Sequence, residues 1–316
     1  MNVRDEDRYE AAVRYYIHNE TMDSIARHLN VSRSSVSRLL TEARKSGIVR
    51  ISITSGASSH SPIAKRLAEA FGVTVHLVAV GDAAPTDIRL ERVCRLAASI
   101  LTDSVNDGNK IGAAWGVTVS NIVSYLERRP LRDATIVQIN GGTNAHDVSS
   151  QHVTAVLQAL ATAFDAHIIQ FPVPAFFDYP ETKAAMWRER SVRSILDIQE
   201  HLDVAIFGVG SLAARIPSYV YTAGYLDPSD MKQLKAEHVV GDVSTVLLRE
   251  DGSFEDINLN KRATGLTPAQ LQRIPIRIGV VADVARAPAL LGALRARTIT
   301  DLVCDDTTAL AVLDRM

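Results

Sequence analysis

Residues Met22–Ala43, MDSIARHLNVSRSSVSRLLTEA, decide how the rest of the chain is read. Two short segments of helical periodicity flank a tight break, the pattern of a helix-turn-helix, whose crossing positions must be small or apolar. Ala26 is the small residue at the crossing. Ile25 and Leu29 are expected to face inward from the first helix, and Val31, Val36 and Leu39 to close the core from the turn and second helix. Asn30 stands where such turns commonly hold Gly, and Asn is the non-Gly residue that best tolerates a left-handed backbone. Ser32 fits the N-cap of the second helix. Ser32, Arg33, Ser34, Ser35, Ser37 and Arg38 fall on the solvent side, where short hydroxyls and Arg suit phosphate and base-edge contacts in the major groove of double-stranded DNA. The blander alternative is an amphipathic helix pair with a solvated polar face. Charge favours DNA: residues 21–50 hold six Arg/Lys (Arg27, Arg33, Arg38, Arg44, Lys45, Arg50) against Asp23 and Glu42, in a chain of net charge −2.

Arg8–Asn19 is amphipathic, with Ala12, Val13, Tyr16 and Ile17 apolar, and predicts the helix that precedes the motif. Gly47 ends the second helix, and Val49–Ile53 alternates like a short strand, the usual place for a wing. The Ser/Gly-rich stretch SGASSHSP then marks a boundary. The expected organisation is a DNA-binding domain over residues 1–54, a linker over 55–62 and a second, larger domain over 63–316.

At 316 residues, with 47% hydrophobic and 22% charged, the composition is that of a soluble globular protein with room for two domains. No apolar run reaches the roughly 18–20 residues of a membrane span, and MNVRDEDRYEAAVRYY has no signal-peptide core, so a cytoplasmic protein with no membrane partner is expected. Cys94 and Cys304 sit far apart inside apolar stretches, as core residues rather than a disulfide or metal site.

From Ile63 the pattern alternates helix and strand, which predicts an α/β domain with a parallel sheet covered on both faces. A helix over 63–71 ends at Gly72, and strand Val73–Val80 follows. Next come helix Asp87–Val105, strand Lys110–Ala114, helix Thr118–Leu126, strand Ala134–Asn140 and helix Gln151–Phe164. Then follow strand Ile168–Phe171, a mostly helical Tyr179–Ile195 and a strand from Val204 to Gly208. The remainder reads as strands Val243–Leu248 and Ile276–Val281, a helix Pro288–Arg297, and a strand with helix across Asp301–Asp314.

In doubly wound sheets ligands bind beyond the carboxyl ends of the strands, and polar and Gly-rich residues gather there. One set is Trp115-Gly116-Val117-Thr118. Another is Asn140-Gly141-Gly142-Thr143-Asn144, whose glycines would let backbone amides approach an anion while Thr143 and Asn144 add side-chain hydrogen bonds. Gly208 and Gly210 follow a further strand, and Gly241-Asp242 precedes Val243. Tight turns alone would also explain such glycines. Pro172–Phe177 could wall a pocket or simply pack on the core, and Asp305-Asp306-Thr307-Thr308 could cap the last helix. No Ser/His/Asp or paired-carboxylate spacing demands catalysis, and no cofactor or metal is called for.

With the helix-turn-helix, Trp115-Gly116, Gly141-Gly142-Thr143, Gly208-Val209-Gly210, Gly241-Asp242 and the closing TDLVCDDTTA of residues 300–309 in this order, the chain resembles the SorC family of sugar-responsive transcriptional regulators, with the deoxyribonucleoside-regulator branch its nearest look. The resemblance spans about residues 8–313. It implies a winged helix-turn-helix joined to a Rossmann-like effector domain of the glucosamine-phosphate deaminase and ribose-phosphate isomerase type. It also implies a homo-oligomer, usually a tetramer, that clamps operator half-sites. Such a protein would be a repressor of a carbohydrate, polyol or nucleoside catabolic operon, released by a sugar, polyol or sugar-phosphate effector, although activators exist in the family. The alternative is a sugar-phosphate isomerase or deaminase with an accessory DNA-binding head. Carried over, Gly141-Gly142-Thr143-Asn144 would hold an effector phosphate and Asp242 would lie against sugar hydroxyls. Two positions depart from the family. Asn140 replaces the lysine that forms a Schiff base with an open-chain sugar in the deoxyribonucleoside branch, which excludes covalent capture there. Ala282-Asp283-Val284-Ala285-Arg286 replaces a late Ala-Gly-Gly segment followed by Lys, so Arg286 would stand in as the cation while Asp283 would repel a phosphate.

Overall fold

The computed structural model describes residues 3–49, 61–81, 84–142, 147–216, 218–222 and 224–316. The chain divides into two compact units, Met1–Gly56 and Ala57–Met316.

The first unit contains α1 (Val3–Ala12), which continues into one wide π-type turn over Val13–Ile17, then α2 (Met22–His28) and α3 (Arg33–Lys45). The side chains of Thr21 and Ser32 cap α2 and α3 by accepting from the amides of Ser24 and Ser35, which satisfies amides that the first helical turn leaves unpaired. Asn30 takes the expected left-handed conformation between the helices, with φ at 53°. The unit closes around Ala11, Ala12, Ile25, Ala26, Val36, Leu40 and Ala43, with Leu29 and Leu39 at its margin. Two expectations are corrected here. Val31 is 39% exposed rather than in the core, and Leu40 rather than Leu39 is the deep residue, because a helix that begins at Arg33 lays Val36, Leu40 and Ala43 along one stripe. Ile17 is exposed because the wide turn at Val13–Ile17 rotates the phase set by Ala11 and Ala12. Ion pairs from Arg8 to Glu42 at 2.9 Å, and from Arg14 to Glu10 and Glu20, brace the helices. Of the expected wing, Val49 is half-buried and residues 50–53 lie outside the described residues.

The second unit is a mixed α/β domain. Its elements are α4 (Pro62–Phe71), β1 (Thr74–Val78), α5 (Thr86–Ser104), β2 (Lys110–Ala113), α6 (Val117–Val123), β3 (Thr135–Gln138), α7 (Asp147–Phe164), β4 (His167–Ile169), α8 (Pro180–Met186) and α9 (Arg190–Gln199). They continue with β5 (Val204–Ser211), α10 (Tyr219–Thr222), α11 (Pro228–Ala236), β6 (Val239–Val243), β7 (Val246–Arg249), α12 (Pro268–Leu271), β8 (Ile276–Val281), α13 (Ala287–Arg295), β9 (Asp301–Asp305) and α14 (Asp306–Leu313). Pro62, expected in the linker, is instead the first residue of α4, where its fixed φ suits a helix start. Gly72 ends that helix in the left-handed conformation.

Seven strands run parallel in the order β1-β9-β8-β5-β2-β3-β4, and β6 pairs antiparallel with both the end of β5 and β7. Alternate strand residues feed opposite faces. Ile111, Ile136, Ile206, Ile278 and Val303 join the layer that holds α5, α6 and α7, while Val137, Phe207, Val281 and Leu302 join the layer that holds α4, α13 and α14. Both faces are therefore apolar, as a buried parallel sheet requires. Cys94 and Cys304 are buried free thiols in these two layers. The expected strand Val243–Leu248 is in fact a hairpin that turns at Ser244-Thr245, and Tyr179–Ile195 falls into two helices.

The cap read from Asp305–Thr308 is present: Asp305 accepts from the Thr308 amide and hydroxyl. It also receives the buried guanidinium of Arg89 at 2.9 Å, whose other donors reach the carbonyls of Gly81 and Ala84. Replacing Arg89 by Ala leaves that carboxylate buried and uncompensated, so Arg89→Ala should cost about 3–5 kcal/mol of unfolding free energy. A denaturant midpoint close to the parent's would show the pair to be dispensable.

Candidate functional site

Two surfaces carry the candidate residues. On α3, Ser32, Arg33, Ser34, Ser37 and Arg38 are exposed and Ser35 is half-buried. The Ser32 hydroxyl lies 2.8 Å from that of Ser34 and 2.9 Å from that of Ser35, so the cap and its neighbours form one hydroxyl cluster at the head of the helix. Arg33 approaches Asp23 at 3.7 Å with both side chains well exposed, a pairing worth little in water. The face is open and polar.

In the second unit the strand order reverses between β2 and β5: from β2 the chain steps outward through β3 and β4, and β5 returns to β2's other side. Such a switch point leaves a crevice at the strands' carboxyl ends. A cleft lies there. Gly116, Thr118, Asn140, Gly208, Gly210, Asp242 and Arg286, far apart in sequence, all line it. Gly116 has φ of 147°, which a side chain rarely adopts, and lets the chain swing from β2 into α6. Thr118 packs on β5, where a Cβ at Gly208 would come within 2.9 Å of its hydroxyl. Asn140 ties β3 to the chain after β2 by accepting from the Trp115 amide.

Asp242 is held by its own hairpin. It pairs with Gly210 across β5 and β6, and its carboxylate lies over that glycine, only 1.9 Å from where a Cβ would stand. One carboxylate oxygen accepts from the Tyr221 hydroxyl at 2.8 Å and the other from the Thr245 amide at 3.0 Å. Burial pushes the Asp242 carboxyl above the ordinary aspartate range, against the lowering pull of those hydrogen bonds and of Arg286. The Tyr221 phenol is pushed well up, first by burial and then by Asp242. Arg286 is buried and donates to the carbonyls of Val209 at 2.6 Å and Ile216 at 2.9 Å. Asp283 accepts from the amides of Arg215 and Ala285.

The Gly141-Gly142 pair does not line this cleft, and it is not an open nest. The Gly141 amide donates to the Thr264 hydroxyl and the Gly142 amide to the Val173 carbonyl, so neither is available to an anion. These glycines instead permit close packing, since a Cβ at Gly141 would come 2.2 Å from the Pro174 carbonyl oxygen. Their carbonyls are capped by Trp115 and Tyr225, whose rings stack at 5.4 Å. Pro172–Phe177 accordingly packs as a loop, with Phe171, Val173, Phe177 and Trp187 in a cluster of their own. Thr143 and Asn144 lie outside the described residues. Sequence reading passed over Ser218, Ser244 and Thr245, which also line the cleft. The signal for the last two was a polar pair breaking an apolar run.

Residues 57–314 match the family model described as "Putative sugar-binding domain". Over 298 residues the chain is 29% identical to the sorbitol operon regulator of Klebsiella pneumoniae, covering 93% of both chains. Over 305 residues it is 25% identical to the deoxyribonucleoside regulator of Bacillus subtilis, covering 96% of both. The crystal structure of the full-length sorbitol operon regulator from Klebsiella pneumoniae matches with a TM-score of 0.81 at 26% identity, over 99% of each chain. A domain of a possible sugar-binding transcriptional regulator from Arthrobacter aurescens matches with a TM-score of 0.75 at 38% identity, over 83% of this chain and 100% of that one.

The raised carboxyl of Asp242 makes a pH prediction. A carboxylate whose folded pKa lies above its unfolded value contributes stability at low pH that is lost as pH rises through the folded pKa. Asp242→Asn removes that loss. The variant's melting temperature, measured from pH 4 to 8, should therefore gain on the parent's as pH rises and then run parallel; a constant offset would show that Asp242 ionises normally.

Proposed function

The chain belongs to the family of sugar-binding domains, and from that premise we propose that it is a ligand-controlled transcriptional regulator, a repressor of a carbohydrate, polyol or nucleoside catabolic operon. The observation that carries this reading is the full-length match to the sorbitol operon regulator, which spans both the unit with the exposed Ser/Arg helix and the unit with the cleft. Residues 1–54 act as a winged helix-turn-helix whose α3 enters the major groove, residues 55–61 as the linker, and residues 62–316 as a doubly wound, Rossmann-like effector domain. Ser32, Arg33, Ser34, Ser35, Ser37 and Arg38 contact operator DNA. Gly116, Thr118, Asn140, Gly208, Gly210, Asp242 and Arg286 form the effector site. Thr143 and Asn144 complete the set carried over from the family.

The protein acts in the cytoplasm as a homo-tetramer; among the described residues no helix is long and apolar enough to cross a membrane. Effector binding works by differential affinity: it stabilises the arrangement of subunits in which paired α3 helices no longer match the half-site spacing.

Fluorescence anisotropy of the full-length protein on the DNA upstream of its own gene tests the reading. Binding that is tight, salt-dependent and released by a sugar, polyol or phosphate ester is the expected result. Binding that no such compound alters would refute effector control. Arg38→Ala should weaken operator binding and reduce the slope of log K against log salt by about 0.9, the value for one lost phosphate contact. Unchanged affinity at matched salt would remove Arg38 from the interface.

A further inference from the structure

The turn between β6 and β7 is unusual on two counts. Ser244 and Thr245, the two residues between the paired Val243 and Val246, both take left-handed backbone, with φ of 49° and 72°. Two-residue hairpin turns of this kind favour Asn-Gly, and a β-branched Thr at positive φ is strained. Their hydroxyl oxygens are also buried without any hydrogen-bond partner among the described residues. Ser244 is 4% and Thr245 1% exposed. Buried hydroxyls are ordinarily paired, and strain of this sort gathers at ligand sites. Three side-chain atoms are orphaned in this way among the described residues; these two line the cleft beside Asp242, while the third, on Gln199, does not.

The charges in the same cleft select what would complete those hydroxyls. Arg286 is the one cation on its wall among the described residues, and both its terminal nitrogens are committed to backbone carbonyls. Two buried carboxylates, Asp242 and Asp283, act on it electrostatically. With both carboxylates ionised the three groups together carry a formal charge of −1, and the guanidinium already gives two of its five N–H donors to carbonyls, so a phosphate brought here would meet no surplus positive charge. A neutral hydroxyl group meets suitable partners: the Asp242 carboxylate accepts, and the hydroxyls of Thr118, Ser218, Ser244 and Thr245 both donate and accept.

We propose that the cleft binds an uncharged polyhydroxylated ligand, an alditol or unphosphorylated sugar, through Asp242 and the Ser244-Thr245 turn, and discriminates against the phosphate esters of the same molecules. The proposal rests on the reading of this cleft as the effector site. Its test uses the full-length protein and a series of erythritol, xylitol and D-sorbitol, each beside its terminal phosphate ester, with inorganic phosphate as a further probe. Melting temperature and calorimetry report binding, and anisotropy on the upstream DNA reports release. At least one alditol should bind and raise the melting temperature, and its ester should bind at least tenfold more weakly. Ser244→Ala and Thr245→Gly, the latter keeping the left-handed turn, should each weaken that alditol about five- to tenfold, the loss of one neutral hydrogen bond. An ester that binds as tightly as its parent alditol overturns the proposal while leaving the regulator intact. Alditol binding untouched by either substitution removes the turn from the site. If the protein binds its DNA and no probe of either class binds it, the proposal falls together with the effector reading of the cleft.

Discussion

The pairing of Gly210 with Asp242 is the contact on which the cleft depends. β5 is one continuous eight-residue strand, yet its first part is parallel to β2 and β8 and its last three residues are antiparallel to β6. That change of partner brings a hairpin across the carboxyl edge of a parallel sheet, where residues that follow β2 and β8 also line the cleft. For the hairpin to lie there with a carboxylate turned over the neighbouring strand, position 210 must have no side chain, and position 241 must also be bare because a Cβ there would sit 2.1 Å from the Gly210 carbonyl oxygen. The glycines of this edge thus set contact distances between strands, which is a different task from the turn-making usually assigned to them.

Much of this architecture was legible in the sequence. The alternation of apolar strands with amphipathic helices gave the parallel sheet, the punctuation by Gly72 gave a helix end, and the gathering of Gly and polar residues after β2, β3 and β5 pointed to the edge that carries the cleft. What the sequence hid has physical causes. The β6–β7 hairpin escaped because Ser-Thr is a poor turn signal: the left-handed backbone it adopts is imposed by its surroundings, notably by the Asp242 carboxylate accepting the Thr245 amide. Gly141-Gly142 read as an anion nest because sequence shows that two amides are unshielded but not that Thr264 and Val173 will claim them. In the first unit, a single wide turn at Val13–Ile17 was enough to shift the apolar phase, an irregularity that periodicity counts average away.

The two units solve the problem of size differently. The larger has a sheet covered on both faces by apolar layers, to which buried polar locks such as Arg89 on Asp305 are added. The smaller has, among the described residues, seven buried apolar residues and draws on helix caps and ion pairs around Arg8 and Arg14, each of modest worth in water.

The Ser244-Thr245 turn has an evolutionary consequence. Its backbone is fixed from outside, by Asp242 on one side and by Gly265 packed against the Ser244 carbonyl on the other, so the two side chains are largely released from the work of folding. Asn, Asp and Gly all accept such a backbone more readily than Thr does. A lineage could therefore trade these residues one at a time, changing the polarity of the cleft through single-codon steps that leave the sheet, the hairpin and the exposed face of α3 as they are.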